Sequence, residues 1–256
     1  SLAEIDYLNR QAGVTLMLTE QGRSYPGFTC VAWPPAPAEA GWATAKPQAP
    51  ASVIFATSGT TGARRLVCVS EAQLAQQALR HPEYASERLL RLASIEFNNS
   101  KRHRLYCTWH GGTNVFGGDG SAEQTIEFVL DKRVTSLDVS RMHLVDIARA
   151  PGASKLANIK IRPGGGPVPK SVRTLVMDAV SPQLYVRYAT TETGALAMTS
   201  PDDEPSDDLC GIPLPGVVVQ ILNLDDQPCG SNEVGVLRVK ADGMADAYLH
   251  PEPFSG

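Results

Sequence analysis

No apolar run in this sequence approaches the ~18 residues that a membrane-spanning helix needs, and no signal-peptide pattern opens it. Both absences point to a cytoplasmic protein with no membrane partner. The chain carries 5 cysteines: Cys30, Cys68, Cys107, Cys210 and Cys229. They are widely spaced, odd in number and contain no Cys-x-x-Cys pair, which argues against a disulfide frame or a zinc site and predicts reduced, mostly buried thiols. Positive charge is not in excess: 23 Lys and Arg against 27 Asp and Glu leave a formal charge of -4 at pH 7. No basic stripe interleaved with aromatics occurs, so nucleic acid is not an expected partner. There is no Gly-x-Ser-x-Gly elbow for a serine nucleophile, no internal repeat, and no Gly-Lys-Ser/Thr to complete the common nucleotide-triphosphatase loop.

What is present is a core of useful size. At 256 residues and 27.4 kDa, with 43% hydrophobic residues, the chain suits one large or two modest globular domains. Val53, Ile54, Phe55 and Ala56 read as a buried strand that empties abruptly into Thr57, Ser58, Gly59, Thr60, Thr61 and Gly62. The two glycines let the backbone turn tightly, the hydroxyls crowd donors around one point, and Arg64 and Arg65 add fixed charge. Such a loop suits polyphosphate oxygens; taken alone, it is more often a plain surface turn.

Residues 14–18 read as a strand after a short helical stripe of Ile5, Leu8 and Ala12, and 33–50 as a Pro/Ala-rich loop. Ser70 with Gln73, and Ser121 with Gln124, are capping-box pairs ahead of helices carrying Leu74 and Leu79, and Ile126 and Val129. Strands are expected at 89–97, 134–139, 159–162 and 183–188, and helices at 101–110 and 142–148, with Pro169 opening another. This alternation implies an α/β fold with a largely parallel sheet flanked by helices. From residue 209 the texture changes to strands at 217–221 and 234–240 around a turn at 225–228, with 244–249 as a last strand. The domain reading is an α/β part over 1–208 and a small β-rich subdomain over 209–256. His103 and His110 lack a third partner at metal-ligand spacing, and 202–208 is a charged, solvated loop.

Three more segments accompany the hydroxyl loop: Gly164, Gly165, Gly166, Pro167, Val168 and Pro169 after one strand; Tyr188, Ala189, Thr190, Thr191 and Glu192 after the next, at the same end of the sheet; and Gly211 through Gly216 in a Gly-x-Pro-x-Pro-Gly pattern. In this order they resemble the core of the adenylate-forming superfamily of acyl-CoA synthetases, nonribosomal peptide adenylation domains and luciferases. The family loop T-S-G-T-T-G-x-P-K-G, its Y-G-x-T-E, its G-G-A-P-L-P and its G-x-P-x-P-G are all matched between Val53 and Leu249.

The resemblance implies attack of a small-molecule carboxylic acid on the α-phosphate of ATP, with Mg²⁺, giving an acyl-adenylate and pyrophosphate. It implies CoA or a carrier-protein phosphopantetheine as acyl acceptor. Thr57 through Gly62 would wrap the β- and γ-phosphates, with Arg65 at the place of the loop lysine. Thr191 would bond the α-phosphate and Glu192 would hold Mg²⁺. Gly164, Gly165, Gly166, Pro167, Tyr188, Ala189 and Thr190 would form the rest of the nucleotide site. Asn98 stands where amino-acid-activating relatives carry an Asp, which disfavours α-amino acids; a bare helix-capping role is nearly as good a reading. The acid pocket maps onto Asn98, Asn99, Arg102, Arg162, Gly164, Arg187 and Ala195. Several arginines there imply a second anion on the substrate, unless they face solvent. Arg64 and Arg65 replace the loop's Pro and Lys, Ala189 replaces a Gly, and the family's N-terminal portion, ribose-binding Asp and lysine-bearing mobile C-terminal domain fall outside the sequence. Those departures keep open a second class of function, a degenerate, non-catalytic nucleotide- or acyl-binding module.

Overall fold

A computed structural model of the chain describes residues 12–19, 23–32, 51–57, 65–95 and 97–249. The expected stripe at Ile5 and Leu8, the loop at 33–50 and the hydroxyl residues 58–62 lie outside them. Two compact units are present, one of residues 1–51 and 247–256, the other of 52–246. In the first, β1 (Leu16–Thr19) and β2 (Thr29–Ala32) pair in parallel.

The second unit opens with β3 (Ser52–Ala56), which pairs antiparallel with β4 (Leu66–Ser70). β4 is a strand beyond those expected from sequence, and its Leu66, Val67 and Val69 are buried. Ser70 then caps α1 (Glu71–Leu79) in the expected box with Gln73. A four-stranded, wholly parallel sheet follows, built from β5 (Arg88–Arg91), β6 (Thr113–Val115), β7 (Ser136–Ser140) and β8 (Lys160–Gly164) in the order β6-β5-β7-β8. Between them run α2 (Asn98–Trp109), α3 (Ala122–Asp131) with its Ser121–Gln124 box, and α4 (Arg141–Arg149); α5 (Lys170–Ala179) follows Pro169.

Strand alternation gives this sheet two unlike faces. In register across it lie Val115, Leu90, Leu137 and Ile161. All are buried in one apolar cluster with Ile126 and Val129 of α3, Leu144 and Ile147 of α4, and Val176 of α5. Each such side chain contributes about 1.5–3 kcal/mol. One residue further along, the register row is Arg91, Asp138 and Arg162. That charged row is also buried. Leu89 packs on this side with Tyr84, and with Tyr106 and Cys107 of α2.

The remaining strands are antiparallel. β9 (Arg187–Thr190), β10 (Gly194–Met198) and the short β11 (Ile212–Pro213) form one sheet in the order β11-β10-β9, and β12 (Val217–Leu222) pairs with β13 (Val236–Ala241) in another. Three expectations need correction. The strand expected at 89–97 ends at Arg91, and residues 244–249 form no strand. Only Cys107 among the thiols is buried, and Cys210 is exposed. No helix among the described residues is long and apolar enough to cross a membrane.

Candidate active site

The first turns of α2 tie three separate segments together. Asn98 donates its amide N–H to the carbonyl of Ala56, at the end of β3. Beside it, the Asn99 amide nitrogen lies 3.4 Å from where a Cβ on Gly164 would stand, at the end of β8. One turn on, Arg102 donates to the carbonyl of Thr190 at 3.3 Å and to that of Thr191. Its guanidinium also stacks 4.2 Å above the centroid of the Phe55 ring in β3. The exit of β3, the exit of β8 and the β9–β10 turn therefore meet at one helix terminus. Asn98 is not a helix cap; Phe97 holds the cap position, without a side-chain bond.

At the exit of β3, Thr57 and Arg65 close the base of the loop. The Thr57 N–H donates to the Arg65 carbonyl at 2.8 Å, and the Arg65 N–H donates to Thr57 Oγ1 at 3.0 Å. Ser58, Gly59, Thr60, Thr61 and Gly62 lie outside the described residues. After β8, Gly165 and Gly166 take φ of +91° and +142°, and a Cβ at either would meet nothing within 4 Å. Bare main chain thus borders open space, as a flat ring or a ligand backbone requires. The Pro167 carbonyl accepts from Arg141 at 3.3 Å, and that of Val168 from the Arg173 Nε–H at 2.8 Å.

Tyr188, Ala189 and Thr190 lie within β9, paired antiparallel with β10, rather than in a loop after a parallel strand. Gly194, at φ +73°, lets the chain reverse there. Tyr188 is 38% exposed, and Ala189 takes no positive φ, so a glycine is not required at that position. Thr191 and Glu192 form the turn between the strands and are half-buried. The Glu192 carbonyl accepts from the Ala245 N–H at 2.8 Å.

The arginines mapped to an acid pocket are placed differently from either expectation. Arg162 bonds both oxygens of Glu87 at 2.6 and 2.7 Å. Arg187 donates to Asp138 at 2.8 Å and to the Tyr84 hydroxyl at 3.2 Å. Asp138 also takes Arg91, while Lys160 at 3.0 Å and Ser136 at 2.8 Å complete Glu87. Arg102, Arg162 and Arg187 thus face neither solvent nor an open cavity; the chain's own oxygens occupy them. Ala195 is buried in β10, with its carbonyl on Arg80 at 2.8 Å.

Protonation follows from these neighbours. Burial alone would raise the Asp138 carboxyl, but Arg187, Arg91 and Arg162 outweigh it and hold the group below its usual range. His103 is pushed well down by burial and then by Arg187 and Arg91, so it stays neutral at pH 7. Burial pushes the Tyr106 hydroxyl up to about 12, and as a neutral phenol it donates to the Gln77 side chain. No cluster of three or more His, Cys, Asp or Glu poised for a metal occurs among the described residues. A single carboxylate such as Glu192 nevertheless suits Mg²⁺ shared with substrate oxygens.

A family model described as AMP-binding enzyme matches residues 4–249. The chain belongs to the AMP-binding enzyme family. Solved structures carry the same fold. The luciferase-like enzyme of the nonluminescent mealworm Zophobas morio superposes with a TM-score of 0.81 at 20% identity, over 97% of this chain and 67% of that one. ATP-bound MatB from Rhodopseudomonas palustris gives 0.82 at 18%, over 97% and 55%. O-succinylbenzoate coenzyme A synthetase (MenE) from Bacillus subtilis, in complex with ATP and magnesium ion, gives 0.78 at 20%, over 98% and 55%. The chain therefore spans 55% to 67% of the length of these three structures. No curated protein sequence matches it.

No motif marks Arg80, which holds the carbonyls of Thr193 and Ala195, Gln77, which holds that of Gly243, or Tyr84, which bonds His103 and Arg187. The one signal available for the buried ions was charge placed beside apolar strand residues: Arg91, Asp138, Arg162 and Arg187.

Proposed function

We propose that the chain activates a small-molecule carboxylic acid as an acyl-adenylate at the expense of ATP, releasing pyrophosphate, and that the acyl group then passes to a thiol of CoA or of a carrier-protein phosphopantetheine. The observation that carries the reading is the meeting of the β3 exit, the β8 exit and the β9–β10 turn at the start of α2. Each segment brings what a nucleotide needs: hydroxyls and main-chain donors from Thr57 onward, bare backbone at Gly165 and Gly166, and Thr191 with Glu192.

In this reading residues 57–62 and Arg65 hold the β- and γ-phosphates, and Thr191 orients the α-phosphate. Residues 164–167 with Tyr188, Ala189 and Thr190 bracket the nucleoside. Mg²⁺, held by Glu192, supplies charge neutralisation between two anions that must approach. Asn98, Asn99 and Ala195 border the acid. With Arg102, Arg162 and Arg187 engaged by the chain itself, a second anionic group on the acid is no longer needed to explain them. Holding the acid and phosphorus in line adds to that charge stabilisation by making the encounter effectively unimolecular.

Pyrophosphate exchange into ATP, run with a panel of mono- and dicarboxylic acids, tests the reading. Acid-dependent exchange that falls at least about 100-fold in Glu192→Ala is the expected result, the scale of losing one transition-state charge contact. Arg65 in place of the loop lysine favours a second reading, a non-catalytic nucleotide- or acyl-binding module. Metal-independent ATP binding that ignores Glu192→Ala, without exchange for any acid, selects that module.

A further inference from the structure

Two buried guanidiniums near the site have no carboxylate in a salt bridge with them among the described residues. Arg80 and Arg102 are 4% and 3% exposed, and Asp242 and Glu192 are carboxylates whose charge reaches them. Their hydrogen-bond partners are main-chain carbonyls. Arg80 donates to Thr193 at 3.0 Å, to Ala195 at 2.8 Å and to Asp242, while Arg102 takes Thr190 and Thr191. The Ala245 N–H takes the carbonyl of Glu192 at 2.8 Å, and Thr193 Oγ1 that of Gly194 at 3.0 Å. Every carbonyl from residue 190 to residue 195 therefore accepts a hydrogen bond.

The grip extends outward on both sides. Gln77 donates to Gly243 at 2.7 Å and Gln73 to Met244 at 2.9 Å, so α1 and the 242–245 segment form one wall. A Cβ on Gly194 would stand 3.1 Å from the Gln77 side chain. A turn needing only to reverse two strands has no use for two buried charges that find no described salt-bridge partner, because taking a charge out of water costs stability. Neutral donors would reverse it as well.

We infer that Arg80 and Arg102 are positioning residues. They fix the peptide planes of the Thr190–Ala195 turn from behind, and so set the direction in which Thr191 and Glu192 leave the main chain. They also place two positive charges directly beneath the turn, where a polyphosphate gains from the field. The inference rests on the adenylation reading for its function and on the hydrogen bonds alone for its structure, so the test has two independent readouts.

The experiment compares this chain with Arg102→Met and Arg102→Lys, using ATP with Mg²⁺ as the probe in calorimetry and amide hydrogen exchange without nucleotide. The Met variant is expected to bind Mg·ATP at least 10-fold more weakly and to need more Mg²⁺ for half-maximal binding. Its amides from 190 to 195 should exchange faster while β5, β7 and β8 keep their protection. Lys, which keeps the charge but not the two-carbonyl reach, should recover affinity in part and exchange protection little; it carries the test if the Met variant does not fold. Unchanged exchange in the turn overturns the clamp, and an affinity within 2-fold of the parent overturns the role toward nucleotide. If the parent chain binds no nucleotide, adenylation fails, and the exchange data alone decide the clamp.

Discussion

Three strands of the parallel sheet, β5, β7 and β8, each spend a core position on a charge, Arg91, Asp138 and Arg162, and the structure shows why that is tolerated. Glu87, Arg162, Asp138, Arg91 and Arg187 pair their charges with one another over a few ångströms. Removing one member strands the others in low dielectric. Glu87→Ala is expected to lower unfolding free energy by about 3–5 kcal/mol, read as a fall in the urea midpoint at constant slope. Lys160→Met should cost under about 1 kcal/mol, because Lys160 is 32% exposed. The buried imidazoles make a second test. Burial holds His81 low against the pull of Glu83, and burial with Arg187 and Arg91 holds His103 lower still. As pH falls below about 6.5 the unfolded chain takes protons that the folded chain refuses, so stability is complete above that pH and lost below it. The slope is up to about 1.4 kcal/mol per pH unit for each ring. Melts between pH 7 and pH 5 should show it, and His103→Gln should remove about half. At this scale the sequence announced the charges but not their partners. Arg162 meets Glu87, 75 positions away, and only the sheet register brings Arg91, Asp138 and Arg162 into one row. That is why Arg162 and Arg187, expected at a substrate site, belong to the ion network of the protein's interior.

Elements with local signals were the most legible. Ser70 and Ser121 announce their helices, and each box forms as the spacing requires. Ser70→Ala and Ser121→Ala should each cost about 1 kcal/mol, and their costs should add in the double variant because the caps share no partner. Thermal melts of the three variants check both points. The helix at 98–109 was placed late by three residues, because its buried stripe of Ser100, His103, Tyr106 and Cys107 is too polar to stand out by hydrophobic period. The strand β4 hid behind the hydroxyl loop, whose far side was read for charge rather than for the alternation of Leu66, Val67 and Val69. Gly211 shows a motif position explained by backbone need: it sits at φ +84°, and a Cβ would fall 2.1 Å from the Met198 main chain. Gly211→Ala should therefore destabilise by more than about 2 kcal/mol, combining αL strain with a clash that the Met198 backbone must relieve. Refolding yield and urea midpoint both report it.

For the molecule as a whole, the alternation of strands and helices was enough to give a parallel α/β sheet, and four motifs in family order were enough to give the family. What the motifs could not supply is the scaffolding that makes them one site. Asn98 on Ala56, Asn99 beside Gly164 and Arg102 on Thr190 and Thr191 make contacts up to 89 positions apart through a single helix. The central claim is that these segments serve one nucleotide. Amide hydrogen exchange of the chain titrated with ATP and Mg²⁺ tests it directly. Residues 57–65, 164–168 and 188–194 should gain protection together, with one common midpoint and with Mg²⁺ required for the third segment. Protection confined to a single segment, or midpoints that differ between segments, would contradict a shared site.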